Sequence, residues 1–473
     1  MPLVAGVDLS TQATKVEVRD ADTGAVVASG RAPHPPVQPP RSEQDPGAWW
    51  SAFEHAWAEA GAPSVQAISV GGQQHGMVVL DADGDVVRPA KLWNDTESAP
   101  DAGWLLKQLP DGPASWAATV GTVPVAAITI TKLSWLHRSE PESWSRLARV
   151  LLPHDWLTHR LTGRYTTDRG DASGTGYWSP AAEAYRWDLL GLVDGDRDWS
   201  TAVPEVLGPL EAAGSWQGAT VGPGTGDNMA AALGLGLRAG DVAVSVGTSG
   251  TVFAVSDTPT ADANGYVAGF ADATGRFLPL VCTLNAAKVT DAVGRLLGAD
   301  HDRLDALALA APPGAGGLVL LPYLDGERTP NRPDATGVLA GIRSDVTREQ
   351  LARAAVEGVV CGLLDGLDAL AAHVPTSGRL LLVGGGSRSA AVAQILADLS
   401  GRVVTVPDEL ELVAAGAAVQ AAAVLAGAAP EDLAAQWATG SQAGGATSVA
   451  PGAGAAAAVE VRAAYAARRD AEA

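Results

Sequence analysis

Cysteine is scarce in this 473-residue chain, and its scarcity excludes two classes of site. Cys282 and Cys361 are the only cysteines, and neither has a partner at the spacing of a zinc or redox motif. A disulfide framework would need more cysteines than these two. We therefore expect two reduced, buried thiols and assign them no chemistry.

Basic residues are also in deficit. The chain has 32 Lys and Arg against 53 Asp and Glu, a formal net charge of −21, and no segment gathers the basic residues into a stripe. Binding to a nucleic-acid backbone needs such a stripe, so nucleic acid is excluded as an expected partner. An acidic surface also repels a polyphosphate, so a phosphate site here must use backbone N–H groups, a bound cation or a few placed side chains.

Long hydrophobic runs are missing as well. The N-terminus begins with MPLVAGV and has no basic region of the kind that opens a secretory signal. Residues 412–429 are uncharged, but they are mostly Ala and Gly and too weakly hydrophobic for a membrane span. We expect a buried, closely packed helix there. These features favour a cytoplasmic protein without a membrane partner.

The length and the pattern of the chain predict an α/β protein of two or three domains. Buried-strand patterns such as residues 67–70 alternate with helical patterns such as residues 46–59. Thirteen of the 14 tryptophans lie at or before Trp216, while Ala and Gly dominate the later part, which predicts a boundary near Leu237. The Gly- and Ala-rich stretch 440–456 predicts a flexible linker before a short terminal helix.

The first strand pattern, VAGVDLS, ends at a carboxylate beside a polar turn. Asp8 could hold Mg²⁺ through water, while Ser10 and Thr11 in the turn meet phosphate oxygens. Lys15 opens the next strand and could reach a phosphate, although a solvated strand residue is the alternative. A structural turn is the alternative for Asp8.

The same strand–turn–strand pattern recurs 237 residues later, in VAVSVGTSGTVFAV. Gly247, Thr248 and Ser249 occupy the matching turn, which indicates an internal duplication. Two such hairpins facing each other would clamp a triphosphate. A third glycine-rich turn, Gly384-Gly385-Gly386-Ser387, follows a buried strand and precedes a helix, where backbone N–H groups can border a nucleotide. It lacks the full dinucleotide fingerprint, which disfavours a nicotinamide cofactor.

Two further motifs predict a polyol site. Asp227 follows a Gly-rich turn at the start of a helical pattern, where it could deprotonate a hydroxyl or simply cap the helix. Polar and aromatic groups follow two strand patterns, in GQQHG at 72–76 and LWNDT at 92–96. An indole face stacks on the C–H surface of a sugar, and amide, imidazole and carboxylate groups pair with its hydroxyls. The candidate residues in these two motifs are Gln74, His75, Trp93, Asn94 and Asp95.

Taken in order, these motifs resemble the FGGY family of carbohydrate kinases, from Gly6 to about Val424. The resemblance is carried by GVDLSTQATK at 6–15, SEQDPGAWW at 42–50, GQQHG at 72–76, LWNDT at 92–96, LLPHDWLTHRLTG at 151–163, GDNMAA at 226–231, GTSG at 247–250, YLDGERTP at 323–330 and GGGSRS at 384–389. One family pattern, Gly337 to Glu357, is complete, and another, Thr129 to Arg138, is imperfect.

The resemblance implies a fold of two RNase H-like domains, of the actin and hexokinase type, facing each other across a central cleft. The expected division is 1–237 for the sugar and the base, 238–430 for the nucleotide, and 431–473 for a flexible segment with a terminal helix. Asp227 would be the catalytic base, and Asp8 would be catalytic by positioning Mg²⁺ on ATP. Gln74, His75 and Asn228 would bind the sugar, although Gln74 stands where the family often has Met.

The implied activity is ATP-dependent phosphorylation of D-xylulose at the 5-hydroxyl, with a homodimer as a common assembly. The alternatives are a kinase for ribulose, glycerol or rhamnulose, and an actin-like nucleotide-binding protein without sugar chemistry. In the second case Asp227 and the pocket around Trp93 would have no role.

Overall fold

The computed structural model describes residues 2–37, 40–408, 411–440 and 445–471. Its strands are β1 Leu3–Leu9, β2 Ala13–Asp20, β3 Val26–Pro33, β4 Glu43–Gln44, β5 Ala67–Gly72, β6 Val78–Leu80, β7 Ala90–Lys91, β8 Arg149–Leu151, β9 Thr166–Asp168, β10 Trp178–Ser179, β11 Ala184–Tyr185, β12 Glu205–Leu207, β13 Gly214–Trp216, β14 Ala219–Val221, β15 Thr225–Gly226, β16 Val242–Val246, β17 Gly250–Ala254, β18 Ala268–Ala271, β19 Phe277–Thr283, β20 Val319–Leu321, β21 Val338–Ala340, β22 Leu380–Val383, β23 Val404–Pro407 and β24 Ala446–Val449.

Its α-helices are α1 Pro46–Glu59, α2 Ala99–Leu105, α3 Pro113–Val120, α4 Thr129–Ser139, α5 Pro141–Arg146, α6 Pro153–Thr162, α7 Arg169–Ala172, α8 Trp187–Val193, α9 Asp227–Gly234, α10 Ala287–Leu297, α11 His301–Ala310, α12 Arg348–Ala371, α13 Ala390–Ser400, α14 Leu412–Ala426, α15 Pro430–Gly440 and α16 Ala458–Ala471. The chain divides into two compact units. The first holds the described residues of 1–237, 257–278 and 411–443, and the second those of 238–256, 279–410 and 444–473.

The central sheet of the first unit brings three strand ends together. Its order is β13-β14-β5-β1-β2-β3, and β15 also pairs with β5. Both β1 and β15 run parallel to β5, with Asp8 opposite Gly71 and Gly226 opposite Gly72. Because parallel strands end at the same edge of a sheet, the residues that follow β1, β5 and β15 lie at one edge.

Helix α14 covers this sheet at close range, which confirms the prediction of a buried helix there. Its central residues Ala414–Ala423 are buried, and it packs on β1, β5 and α9. Glycines make the approach possible, because a Cβ on Gly6 would lie 2.5 Å from the backbone nitrogen of Ala418. No single helix among the described residues is both long and apolar enough to cross a membrane, and one pair passes that test together only across a 119° bend.

We predict that Gly6→Ala lowers the free energy of unfolding by about 1–3 kcal/mol, because the added methyl group meets the backbone of α14 and not a movable side chain. Gly103→Ala is the matched control. It lies within α2 with no atom within 4 Å of the new Cβ, so it should stabilise by about 0.5–1 kcal/mol. Thermal melting of both variants measures the difference. Equal melting temperatures would contradict the close packing of β1 on α14.

The second unit repeats the strand arrangement of the first, as the sequence repeat predicts. In the first unit β1 is antiparallel to β2 and parallel to β5; in the second, β16 is antiparallel to β17 and parallel to β22. Within this unit the sheet continues in the order β19-β17-β16-β22-β23-β24. The turns that follow β16 and β22 therefore lie at one edge of this sheet as well.

The compact units differ from the contiguous division expected at Leu237. Segment 411–443 carries α14 and α15 back to the first unit, because α14 packs on β1 and β5. For 431–473 we expected a flexible segment and a terminal helix; the terminal helix is present as α16, and the part before it contains most of α15 and all of β24. After α15, β24 pairs antiparallel with β23, and α16 buries Val461 and Tyr465. The pairing with β23 satisfies the backbone hydrogen-bonding groups of β24, whose side chains are small and mostly exposed. Residues 441–444 and 472–473 lie outside the described residues.

Candidate active site

Asp8 stands at the end of β1 as a buried carboxylate with one oxygen paired. Its Oδ2 lies 3.2 Å from Nζ of Lys15, the residue opposite it on β2, and Lys15 lies 2.6 Å from Oε2 of Glu411. Its Oδ1 is buried and has no hydrogen-bond partner within the described part of the chain. Burial raises the pKa of Asp8 to about 6, although Lys15 opposes the shift. Lys15 is thus an ion-pair partner of two carboxylates and not a solvated strand residue.

Asp227 is the first residue of α9 and is partly exposed. Its Oδ1 accepts hydrogen bonds from the backbone N–H of Asn228 at 2.8 Å and from Asn228 Nδ2 at 2.9 Å. The same Nδ2 donates to Oε1 of Gln74 at 2.8 Å. Burial, followed by the charges of Asp8 and Asp171, raises the pKa of Asp227 to about 7. A carboxylate with this pKa is suited to accept a proton near neutral pH.

Several buried polar atoms of Gln73 and of the predicted site residues have no hydrogen-bond partner among the described residues. They are Nε2 of Gln73, Nε2 of Gln74, Oδ1 of Asn94 and Oδ1 of Asp8. Unpaired buried polar groups are costly, so native structures usually pair them with protein, water or a ligand. The two amide donors of Gln73 and Gln74 and the amide acceptor of Asn94 fit a molecule that carries several hydroxyl groups, since each hydroxyl can both donate and accept.

His75 and Trp93, both predicted to bind the sugar, are held by contacts that orient their rings. Nδ1 of His75 lies 2.9 Å from the carbonyl of Gly174, so this nitrogen carries the hydrogen in the neutral ring. The backbone of His75 has a φ of 66°, which is uncommon outside glycine and marks a constrained turn. Nε1 of Trp93 donates to Oγ1 of Thr11 at 3.0 Å, and that hydroxyl donates to Oε1 of Gln73 at 3.1 Å.

The hydroxyls of the first turn make different contacts from those expected of phosphate-binding groups. Oγ of Ser10 donates to the carbonyl of Ala13 at 2.8 Å and closes the turn. The hydroxyl of Thr11 joins Gln73 to Trp93, one of the predicted sugar-binding residues. The backbone of this turn is still placed beside Asp8, at the end of β1.

Asp95, which we expected to bind the sugar, has a structural role. Its side chain is fully buried, Oδ2 lies 2.8 Å from Nζ of Lys91, and the same oxygen accepts the backbone N–H of Ser42 at 2.9 Å. Oδ1 accepts the backbone N–H of Glu97. The carboxylates of Glu43, Asp95 and Glu97 could hold a metal ion by their spacing, but the ammonium group of Lys91 lies within 3.2 Å of all three.

A buried charged cluster at this edge of the sheet received no role from the sequence. His154 is fully buried among three aspartates: Nδ1 lies 2.8 Å from Oδ2 of Asp171, and Nε2 lies 3.2 Å from Oδ1 of Asp155 and 3.7 Å from Oδ1 of Asp168. Burial lowers the pKa of His154, but Asp155 and Asp171 outweigh it and raise the pKa to about 9. The only sequence signal was a His-Asp pair inside the apolar stretch LLPHDWL.

The second unit brings its two predicted nucleotide turns together. Ser245 on β16 pairs with Val383 on β22, and the turns 247–249 and 384–387 follow these strands. A Cβ on Gly384, which has a φ of 82°, would lie 2.8 Å from the carbonyl oxygen of Val246, so this approach requires glycine. The carbonyl of Gly247 accepts the N–H of Ala287 at 2.9 Å at the start of α10. Glycine-rich turns beside a helix N-terminus are typical of phosphate sites.

Two domain models of a single family match the chain. Residues 3–234 match the N-terminal domain of the FGGY family of carbohydrate kinases, and residues 242–425 match its C-terminal domain. Among curated proteins, the xylulose kinase of Streptomyces rubiginosus is 50% identical over 450 residues, which is 93% of this chain and 91% of that protein. The xylulose kinase of Escherichia coli strain K12 is 37% identical, over 84% of each chain.

Solved structures agree with the fold. The crystal structure of xylulose kinase from Bifidobacterium adolescentis superposes with a TM-score of 0.87 at 41% identity and covers 99% of both chains. A glycerol kinase from Plasmodium falciparum with ADP has a TM-score of 0.86 at 18% identity, covering 99% of this chain and 98% of that one. The second likeness concerns the fold alone.

Proposed function

This chain belongs to the FGGY family of carbohydrate kinases, and we propose that it transfers the terminal phosphoryl group of ATP to the 5-hydroxyl of D-xylulose. The products are D-xylulose 5-phosphate and ADP. The identity of 50% to curated xylulose kinases over 93% of the chain supports this sugar over ribulose, glycerol and rhamnulose. A homodimer and a cytoplasmic location belong to the same proposal.

Asp227 is the catalytic base in this proposal. Phosphoryl transfer needs little covalent help from the protein, so one aligned base on the attacking hydroxyl and a well-placed phosphate are the main requirements. The single observation that carries the assignment is the setting of Asp227. It is partly exposed, its pKa is raised to about 7, and it is linked through Asn228 to Gln74. Nε2 of Gln74 is itself buried, with no partner among the residues that the structure describes.

Gln74, His75, Asn94, Asn228 and Trp93 surround the sugar in this proposal. The unpartnered amide groups of Gln74 and Asn94 offer one donor and one acceptor to sugar hydroxyls. The indole of Trp93 is half-buried, and its ring is oriented by the hydrogen bond to Thr11. A flat aromatic face suits the C–H surface of a sugar. Gln73 was not among the predicted site residues, and its Nε2 adds a further buried donor without a partner among the described residues.

The residues present fit a magnesium ion and ATP. Mg²⁺ prefers oxygen ligands and is held by one or two carboxylates together with substrate phosphates and water, which suits the unpartnered Oδ1 of Asp8. When bound, the ion neutralises charge on the β- and γ-phosphates. Lys15 beside Asp8, and the turns at Gly247–Ser249 and Gly384–Ser387, are the proposed contacts to ATP.

The proposed function is tested by ADP release from the purified protein with Mg·ATP, in parallel with D-xylulose, D-ribulose, glycerol, L-rhamnulose and no sugar. D-Xylulose is expected to give the highest kcat/KM. A higher value with another sugar would replace the substrate while keeping the kinase assignment. Equal ADP release without any sugar would contradict the sugar site itself.

A further inference from the structure

The cluster around His154 touches both chain segments that carry the proposed active-site residues. A Cβ on Gly72, just before Gln73-Gln74-His75, would lie 2.8 Å from Cβ of His154, and one on Gly224, just before Thr225-Gly226-Asp227, would lie 3.0 Å from Nε2 of His154. The backbone and Cβ of His154 therefore pack against Gly72, and its imidazole ring packs against Gly224. Close packing of one buried residue against two glycine backbones leaves little room for either backbone to move.

Hydrogen bonds join the same cluster to the same two segments. Oγ1 of Thr225, two residues before Asp227, donates to Oδ2 of Asp168 at 2.7 Å. On the other side, the turn that follows Asp171 presents the carbonyl of Gly174 to Nδ1 of His75 at 2.9 Å. Asp171 itself is held by His154 at 2.8 Å. The buried His154–Asp171 ion pair therefore lies between the two segments, with Asp168 on the side of Asp227 at 3.7 Å from Nε2 of His154 and the turn after Asp171 on the side of His75.

We propose that the His154–Asp171 ion pair positions active-site residues for the kinase reaction. It fixes the turn that carries Asp227 relative to the segment that carries Gln74 and His75. This inference rests on the proposed function, because it assigns the pair a role in that reaction. Neither residue needs to touch the substrate. Positioning matters because a misplacement of about 1 Å in a reacting group can cost about 10²-fold in rate.

The charge of Asp171 has a second effect on Asp227. After burial and Asp8, Asp171 is the next cause that raises the pKa of Asp227. The charged and titratable groups around this centre lie on several elements: Asp8 on β1, Lys15 on β2, His75 after β5, His154 and Asp155 on α6, Asp168 and Asp171 at α7, Tyr177 after α7, Glu411 before α14, and Glu431 and Asp432 on α15. Helix α14, packed directly on α9, has no charged residue.

The experiment compares Asp171→Asn with Asp155→Asn by the pH dependence of kcat/KM for D-xylulose. Both variants remove a fully buried carboxylate from His154, but only Asp171 is among the main causes that raise the pKa of Asp227. Removing the charge of Asp171 favours the ionised form of Asp227 and so lowers its pKa. Asp171→Asn should therefore move the acid limb of the kcat/KM profile to lower pH, by about 0.5–1 pH unit. Asp155→Asn should leave the limb in place. An unmoved limb in Asp171→Asn, or an equal shift in both, would overturn the inference.

His154→Asn supplies a second readout that remains if Asp171→Asn does not fold. We expect kcat to fall about 10- to 100-fold while the KM for ATP stays within twofold, since the pair acts on the sugar side. A purely structural role would lower the melting temperature without lowering kcat selectively relative to the KM for ATP. An unchanged kcat would overturn the inference. If the wild type is active with D-xylulose and the variants keep its kcat and its pH profile, this inference alone is refuted. A wild type without sugar-dependent ADP release refutes the proposed function together with it.

Discussion

Asp227→Asn is expected to lower kcat for D-xylulose phosphorylation by about 10²–10⁴-fold, the usual contribution of a general base. The amide keeps the shape of the side chain and can still accept from Asn228 at the 2.8 Å and 2.9 Å positions, but it cannot take a proton from the attacking hydroxyl. The KM for D-xylulose should change much less than kcat, because the groups that contact the sugar remain. ADP release at pH 8, where the wild-type carboxylate is ionised, measures both constants.

The control for this variant is Asp83→Asn, which makes the same chemical change at an exposed turn and should keep wild-type kinetics. A variant at Asp227 that retains more than about a tenth of wild-type kcat would contradict its role as the base.

Thermal stability gives an independent check on Asp227. Its pKa is raised above the usual value of a carboxyl group, so the folded state favours the protonated form. The stability that this preference contributes is present at low pH and lost as the pH rises through about 7. Asp227→Asn carries no such charge, so its melting temperature relative to wild type should rise between pH 5 and pH 8. A relative melting temperature that falls over this range would argue against a desolvated carboxylate at this position.

Asp8→Asn is expected to lower kcat/KM for Mg·ATP by about 10²–10³-fold, the usual effect of removing one group that stabilises charge in the transition state. The amide replaces the negative oxygen that we propose for Mg²⁺, and it also leaves Lys15 paired with Glu411 alone, at 2.6 Å. Because the charge of Asp8 raises the pKa of Asp227, the assay is run at pH 8, where both forms of the enzyme have an ionised base.

Sugar binding separates this role from a general loss of the site. Titration calorimetry with D-xylulose in the absence of ATP should give the same affinity for Asp8→Asn and wild type within about threefold, since Asp8 is not among the proposed sugar contacts. If the dependence of the rate on Mg²⁺ concentration is unchanged in Asp8→Asn, the assignment of Asp8 to the ion is wrong.

The sequence alone determined the local elements and the family. Helix α1 was predicted at residues 46–59 and is found at Pro46–Glu59, because Asp45 and Pro46 begin it and its apolar residues repeat with helical spacing. The strand–turn–strand repeat was visible as well, since each strand is short and its turn residues are specific. Asp8, Asp227 and the three glycine-rich or polar turns could be identified because each lies at or just after the end of a strand, where side chains of neighbouring strands converge.

Only the tertiary structure decided which polar residues have free atoms and which are already paired. Asp95 and Asn94 are adjacent in the sequence, yet their side chains differ in pairing. Both oxygens of Asp95 are paired, with Lys91, Ser42 and Glu97, while Oδ1 of Asn94 has no partner among the described residues. Such pairing depends on residues brought together by folding, as for Thr11, whose hydroxyl meets Trp93 and Gln73. Local spacing does not encode these contacts.

The same reason explains why the His154 cluster and the return of α14 were not predicted. His154 and Asp171 are far enough apart in sequence that no periodicity joins them, and they meet because α6 and α7 both pack at the ends of the sheet strands. Segment 411–443 rejoins the first unit because an Ala-rich helix can approach the glycines of β1 and β5, a fit set by shape. Sequence patterns report which face of an element is buried; the fold decides which element covers it.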